Sequence, residues 1–365
     1  MKPFLLAVIL LTSCGAALPS QSQSPKPGAT PAPAPKPAAP ESKTLDAARL
    51  LEDLRVLSAD AMEGRGAGTQ GGAVARAYVA RRMAEAGVKP LWASSFEQPF
   101  ELPARGGDGG AARRGVNLMG YVRGTALPER FVVVTAHYDH LGVRDGVIYN
   151  GADDNASGVA TLLQLAARFG GARAPRHSFI FAALDAEESG LKGAHALVKQ
   201  LQAERRDVAL NVNLDMVSRS ERGELYASGT RHTPRLRAPL ERVAARAPVK
   251  LLLGHDRPEQ GRDDWTSQSD HYAFHRAGLP FVYFGVEDHP GYHRPTDDFE
   301  AVTKDFFVRA AETILDAVET LDAAPDAPGG AGGKKQAQEQ AQRPKSSPVS
   351  SLWQGAPSRS TFSTR

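Results

Sequence analysis

The strongest constraint in this chain is a coupling that recurs along it. A short apolar run stops, and the next few residues are histidine, aspartate or glutamate. FVVVTAHYDHLG delivers His137 and Asp139, and FIFAALDAEESG delivers Asp185, Glu187 and Glu188. VALNVNLDMV ends in Asp215, and the run closing at Gly285 is followed by Glu287, Asp288, His289 and His293. A fifth cluster, GADDNASG, sets Asp153 and Asp154 just before a helical pattern. Apolar runs of this length read as buried strands, and between them lie helical periods at 156–169, 190–202, 234–245 and 303–321. Strands alternating with helices build an α/β sheet covered on both faces. In open α/β sheets a site forms outside the carboxyl ends of the strands, so clusters far apart in sequence can converge there. Taken singly, a histidine or an Asp-Asp pair is more often solvated, or caps a turn. Five such clusters at strand ends together point to one site.

The residue types narrow the chemistry. His, Asp and Glu without Cys suit a borderline metal such as Zn²⁺, and Co²⁺ or Mn²⁺ also fit. A carboxylate can bridge two ions, and two ions can hold both an attacking water and the oxyanion of an acyl transition state. Neighbours on a strand point to opposite sides. At a strand end, however, Glu187 and Glu188 can both reach one site, one binding metal and the other handling a proton. The sole cysteine, Cys14, lies in the N-terminal segment, which leaves no intrachain disulfide and no cysteine ligand in the core. A net charge of +3 on 365 residues gives no reason to expect nucleic acid.

Composition divides the chain into four parts. Residues 1–14 read as a lipoprotein signal peptide: Lys2, an apolar run from Phe4 to Leu11, then Leu11-Thr12-Ser13-Cys14, which resembles the lipobox of bacterial lipoproteins. That resemblance implies lipidation at Cys14 and an exported, membrane-anchored protein, with the outer membrane favoured because Gly15 is not aspartate. Residues 15–43 are a Pro/Ala-rich tether, 44–322 a folded domain, and 323–365 a tail of disordered composition. The domain opens with a helix over 45–57 capped by Thr44 and a second over 73–86. Between them AMEGRGAGTQGG lacks both the Lys-Ser/Thr and the preceding strand of a phosphate loop.

At EGRGAGTQGG, NLMGYVRG, AHYDHLG, GADDNASG, AEESGLKGA, NLDMV, SDHYAFHRAGLP and YHRPTDD the sequence resembles the M28 family of zinc peptidases, which includes bacterial aminopeptidases. The resemblance runs from about Leu45 to Leu321. It implies a three-layer α/β/α fold with a central mixed, mostly parallel sheet, and two zinc ions. His137 and Asp215 match ligands of the first ion, Glu188 and His293 ligands of the second, and Asp154 the carboxylate bridging both. Glu187 matches the general base, Asp139 the carboxylate that orients His137, and Tyr292 a tyrosine that helps hold the oxyanion. The resemblance also implies a cis Asp154–Asn155 bond. It gives no ligand role to Asp270, His271, His140 or His289.

The expected activity is removal of N-terminal residues from peptides. The rivals are a carboxypeptidase or dipeptidase of the same fold, a glutaminyl-cyclase-like enzyme with one zinc, and a binding lipoprotein without catalysis. Side-chain preference is expected to depend on the stretch 246–266. Oligomeric state is not legible.

Overall fold

The computed structural model describes residues 40–92, 94–102, 113–171 and 174–324. Cys14, most of the tether and the tail from 325 onward lie outside them. Among the described residues no helix is long and apolar enough to cross a membrane.

In chain order the strands are β1 (Lys89–Pro90), β2 (Glu97–Leu102), β3 (Arg113–Val122), β4 (Leu127–His137), β5 (Gly142–Arg144), β6 (Val147–Tyr149), β7 (His177–Leu184), β8 (Asp207–Leu214), β9 (Glu224–Ser228), β10 (Lys250–Leu253) and β11 (Phe281–Gly285). The helices are α1 (Ala47–Leu57), α2 (Gln70–Glu85), α3 (Gly158–Gly170), α4 (Lys192–Ala203), α5 (Arg237–Ala244), α6 (His271–Arg276) and α7 (Lys304–Ala323). Nine strands form one sheet in the order β1-β3-β7-β4-β8-β11-β9-β10, with β2 also on β3, while β5 and β6 pair apart as a hairpin. β3, β9 and β10 run against the other six, so the sheet is mixed and mostly parallel.

Alternation within the strands explains the layers. Val132, Val134 and Ala136 of β4, with Phe179 and Phe181 of β7, face one core together with α1, α2, α3, α5 and α7. Phe131 and Val133, with Ile180, Ala182 and Leu184, face the opposite core under α4 and α6. Strands buried on both faces read as unbroken apolar runs, which is why these were visible in the sequence. The four central strands β7, β4, β8 and β11 are mutually parallel, so their carboxyl ends share one edge.

Three details differ from the sequence expectation. α1 begins at Ala47 and is capped by Asp46, whose carboxylate accepts from the Arg49 amide, whereas Ser42 and Thr44 turn toward Glu312. The helical pattern at 234–245 splits into a tight turn over Pro234–Leu236 followed by α5. β9 and β10 are only five and four residues long, too short to register as periodic segments.

Candidate metal centre

His137 is the last residue of β4, Asp215 follows β8 directly, Glu187 and Glu188 follow β7, and His293 lies in the loop beyond β11. Asp154 sits in the wide turn Ala152–Ser157 that opens α3, where the Asp154–Asn155 bond is cis, as the resemblance implied. All five expected ligands meet at the shared edge. Asp154 is central: its Oδ1 lies 3.5 Å from His137 Nε2, and its Oδ2 lies 3.1 Å from His293 Nε2. His137 Nε2 is also 3.2 Å from Asp215 Oδ1, and His293 Nε2 is 3.4 Å from Glu188 Oε1. Two sets of ligand-type atoms therefore adjoin, one on each carboxylate oxygen of Asp154. His137, Asp154 and Asp215 form one group able to hold an ion.

The second group contains a residue the sequence had set aside. His140, read as a non-ligand, presents Nδ1 at 2.9 Å from Glu188 Oε1 and 3.6 Å from Asp154 Oδ2. It lies three residues beyond the end of β4, where the sequence does not show which way the chain turns. The chain leaves β4 at His137, and the segment carrying His140 bends inward to bridge with Gly66. His289, by contrast, contacts Asp153 at 3.2 Å and stands apart from both groups. Asp185 accepts from the Val116 amide, and Glu287 faces His255. Asp270 and His271 are buried, and His271 bonds the Trp265 carbonyl.

Asp139 does something other than expected. The His137 ring nitrogen Nδ1 meets the Asp139 main-chain carbonyl at 3.1 Å, while the carboxylate lies 3.8 Å away, beyond hydrogen-bond reach. That carboxylate instead accepts from the amides of Glu187 and Glu188, at 3.0 and 3.4 Å. Asp297, within the RPTDD run, repeats the device by accepting from the amides of Asp153 and Asp154 at 3.0–3.1 Å. Each carboxylate grips the main chain of an acidic pair. Burial and the nearby Asp153 push the Asp297 carboxyl up to about 6.

Two further supports lie beneath the site. A buried chain of hydrogen bonds runs from Asn211 to Thr135 Oγ1 (3.0 Å), on to Asn213 (2.6 Å), from there to Ser269 Oγ (2.8 Å), and ends with Ser269 donating to Asp215 Oδ2 at 2.7 Å. The fully buried Arg65, in the glycine-rich loop, donates to four carbonyls, those of Leu57, Tyr138, Asn150 and Gly151, at 2.5–2.8 Å. It ties the end of α1 to the segments carrying His140 and Asp154. Burial lowers its pKa to about 10, with Asp154 and Asp297 opposing. Neither support was legible beforehand: the relay depends on cross-strand register, and a carbonyl partner leaves no mark on sequence.

The electrostatics match a site built for cations. Burial resists ionisation of Glu188, yet His140 and His293 hold its carboxyl well below the usual carboxylate range. Burial likewise disfavours the His293 cation, yet Asp154 and Glu188 push its pKa up to about 10. Glu187 is raised well above the ordinary range, first by burial. Tyr292 stacks on the His293 ring with centroids 4.0 Å apart, and burial, then Asp154, raises its hydroxyl pKa. It therefore stays protonated and able to donate.

These groups line a cavity of about 480 Å³. Its wall adds Leu191, Met216, Trp265, Tyr283 and Val286, with Asp288 beside them. Trp265, from the stretch left open for pocket loops, is fixed by stacking on His255 at 3.7 Å and 4°. No lysine or arginine lines the cavity among the described residues.

The chain is similar to several known proteins in sequence and in fold. A probable zinc metalloprotease of Leptosphaeria maculans is 30% identical over 236 residues, covering 56% of this chain and 52% of its own. An aminopeptidase of Bacillus subtilis is 31% identical over 196 residues, covering 51% and 40%. The chain thus spans about half the length, or less, of these curated relatives. Among solved structures, a zinc aminopeptidase from Bacillus subtilis matches with TM-score 0.62 at 19% identity, over 77% of this chain and 97% of that one. A glutaminyl cyclase from Porphyromonas gingivalis matches with TM-score 0.59 at 16% identity, over 77% and 100%. At such identities these likenesses establish the fold. The family model for peptidase family M28 aligns with residues 117–318, a span holding every side chain from His137 to His293, and the chain belongs to that family.

Proposed function

We propose that the chain is a two-zinc aminopeptidase that removes N-terminal residues with apolar side chains from peptides. The observation carrying this is the division of Asp154, one oxygen toward His137 and the other toward His293 and Glu188. Buried carboxylate and imidazole atoms facing one another without hydrogen-bond partners, Asp154 Oδ2 and Glu188 Oε1 among them, fit a cation between them. His137, Asp154 and Asp215 would hold one ion, and Asp154, Glu188 and His293 the other. Bound there, zinc supplies Lewis acidity and lowers the pKa of a water in the site.

The chain's own residues do the rest. Glu187 accepts a proton from the attacking water and returns it to the leaving amine. The Tyr292 hydroxyl donates to the developing oxyanion. Asp139 holds the Glu187 and Glu188 amides, fixing where both carboxylates start. Leu191, Met216, Trp265, Tyr283 and Val286 suit an apolar side chain. Asp288 and Glu187 suit a free ammonium, and among the described residues no lining Lys or Arg is there to pair with a substrate carboxylate. That favours the aminopeptidase over the carboxypeptidase. Two ligand groups sharing Asp154 favour it over a one-zinc cyclase.

The test is hydrolysis of amino-acid anilides against their N-acetylated forms, with chelator and zinc-readdition controls. Leucyl-type anilides should be cleaved and blocked ones spared; preference for blocked substrates would refute the proposal. The lipid anchor is part of the same reading, supported by the Leu11–Cys14 motif. Incorporation of labelled palmitate should vanish in Cys14→Ser.

A further inference from the structure

We infer that His140 is a direct protein ligand of the second ion, through Nδ1. The inference rests on the two-ion reading above and adds a residue to it. Three atoms close this group: His140 Nδ1, Asp154 Oδ2 and Glu188 Oε1. All three are buried, and none has a hydrogen-bond partner. His140 Nδ1 approaches Glu188 Oε1 to 2.9 Å, an imidazole nitrogen set against a carboxylate oxygen. Orphaned buried polar atoms are rare in folded proteins, and three converging on one spot fit a shared partner. A cation supplies one: separations of 2.9 and 3.6 Å suit donors that share an ion rather than a proton.

The fold fixes this imidazole from behind. Its ring lies against the Gly151 backbone, where a Cβ would come within 2.4 Å of His140 Cδ2. Gly151 is also left-handed, at φ +55°, so two independent constraints exclude a side chain there. The Gly151 carbonyl is one of the four bound by Arg65, and the His140 amide meets the Arg65 carbonyl at 3.3 Å. The His140 side chain is fully buried, while that of His293 is 40% exposed. The second ion is therefore approached by one imidazole from the protein interior and one from the cavity.

The two positions then differ in kind. The second would have four protein donors, His140, Asp154, Glu188 and His293, as many as a structural zinc site uses. The first would have three, His137, Asp154 and Asp215.

The experiment is zinc X-ray absorption on the full chain loaded with two equivalents, together with competitive zinc titration of wild type, His140→Ala and His140→Gln. Direct ligation predicts scattering from three imidazoles over two ions. It also predicts that both variants bind one ion as wild type does and the other at least tenfold more weakly. Two imidazoles over two ions, or variants that bind both ions within threefold of wild type, overturn the inference. The wild-type spectrum decides the matter if the variants fail to fold. A wild type that holds fewer than two ions overturns the two-ion reading instead.

Discussion

Replacing Arg65 with methionine gives a severe test of how the site is supported. The substitution keeps most of the side-chain volume and removes four hydrogen bonds to the carbonyls of Leu57, Tyr138, Asn150 and Gly151. Each buried carbonyl left unpaired costs about 1–3 kcal/mol, so the gross loss is about 4–12 kcal/mol. Against this stands the strain of a buried cation. Burial holds the Arg65 pKa at about 10 rather than 12.5. At 1.36 kcal/mol per unit, methionine relieves about 3 kcal/mol. The net loss centres on about 4–5 kcal/mol, a large part of a typical domain stability of 5–15 kcal/mol. Urea unfolding of the purified chain reads it as a lowered midpoint at unchanged slope. Arg65→Lys should recover little, because a single ammonium cannot span carbonyls arranged around a planar fork. A loss below about 1 kcal/mol in Arg65→Met would refute the idea that this side chain holds the α1 end and the ligand segments together.

Other changes address the chemistry and the frame. Glu187→Gln should retain both zinc ions by elemental analysis while turnover falls by at least about 10²-fold; a near-normal rate would remove Glu187 as the base. Asp297→Ala frees the Asp153 and Asp154 amides, and zinc affinity should fall about 10–100-fold by competitive titration, the range for residues that orient ligands. Asp322 accepts from the Arg176 and His177 amides and from the His177 ring at 2.8–2.9 Å. Burial opposes its ionisation, but these bonds, led by that from the His177 side chain, hold its folded pKa below the ordinary value. Its contribution is thus fully present above the unfolded aspartate pKa of about 3.9 and is lost as pH falls through the lower folded value. Asp322→Ala should lower stability by about 1–3 kcal/mol at pH 7, a difference that shrinks in acid unfolding curves below about pH 4.

What the sequence disclosed, and what it hid, follows from the kind of interaction involved. The central strands are buried on both faces, so their apolar runs were plain, and the residues after them pointed to a shared edge. His137, Asp154, Glu188, Asp215 and His293 all arrive there. Interactions made by main chain were invisible: the carbonyls that Arg65 binds, the amides that Asp139 and Asp297 grip. Asp139 was read as partner to an imidazole on the family resemblance, whereas the structure gives that task to its carbonyl. His140 was set aside because nothing in AHYDHLG reveals that the chain turns inward after His137. Thr135, Asn211 and Asn213 lay inside strands that otherwise read as apolar, and their linkage to Asp215 depends on cross-strand register.

The grip of Asp139 and Asp297 on peptide N–H groups has a consequence for how the centre tolerates substitution of its ions. Neither carboxylate depends on what occupies the cage, so the scaffold around Glu187–Glu188 and Asp153–Asp154 persists when the cage is emptied. On the two-zinc proposal, swapping zinc for cobalt or manganese becomes an exchange within a standing framework. Differences in rate among the substituted forms would report the intrinsic acidity of each ion rather than a rearranged polypeptide.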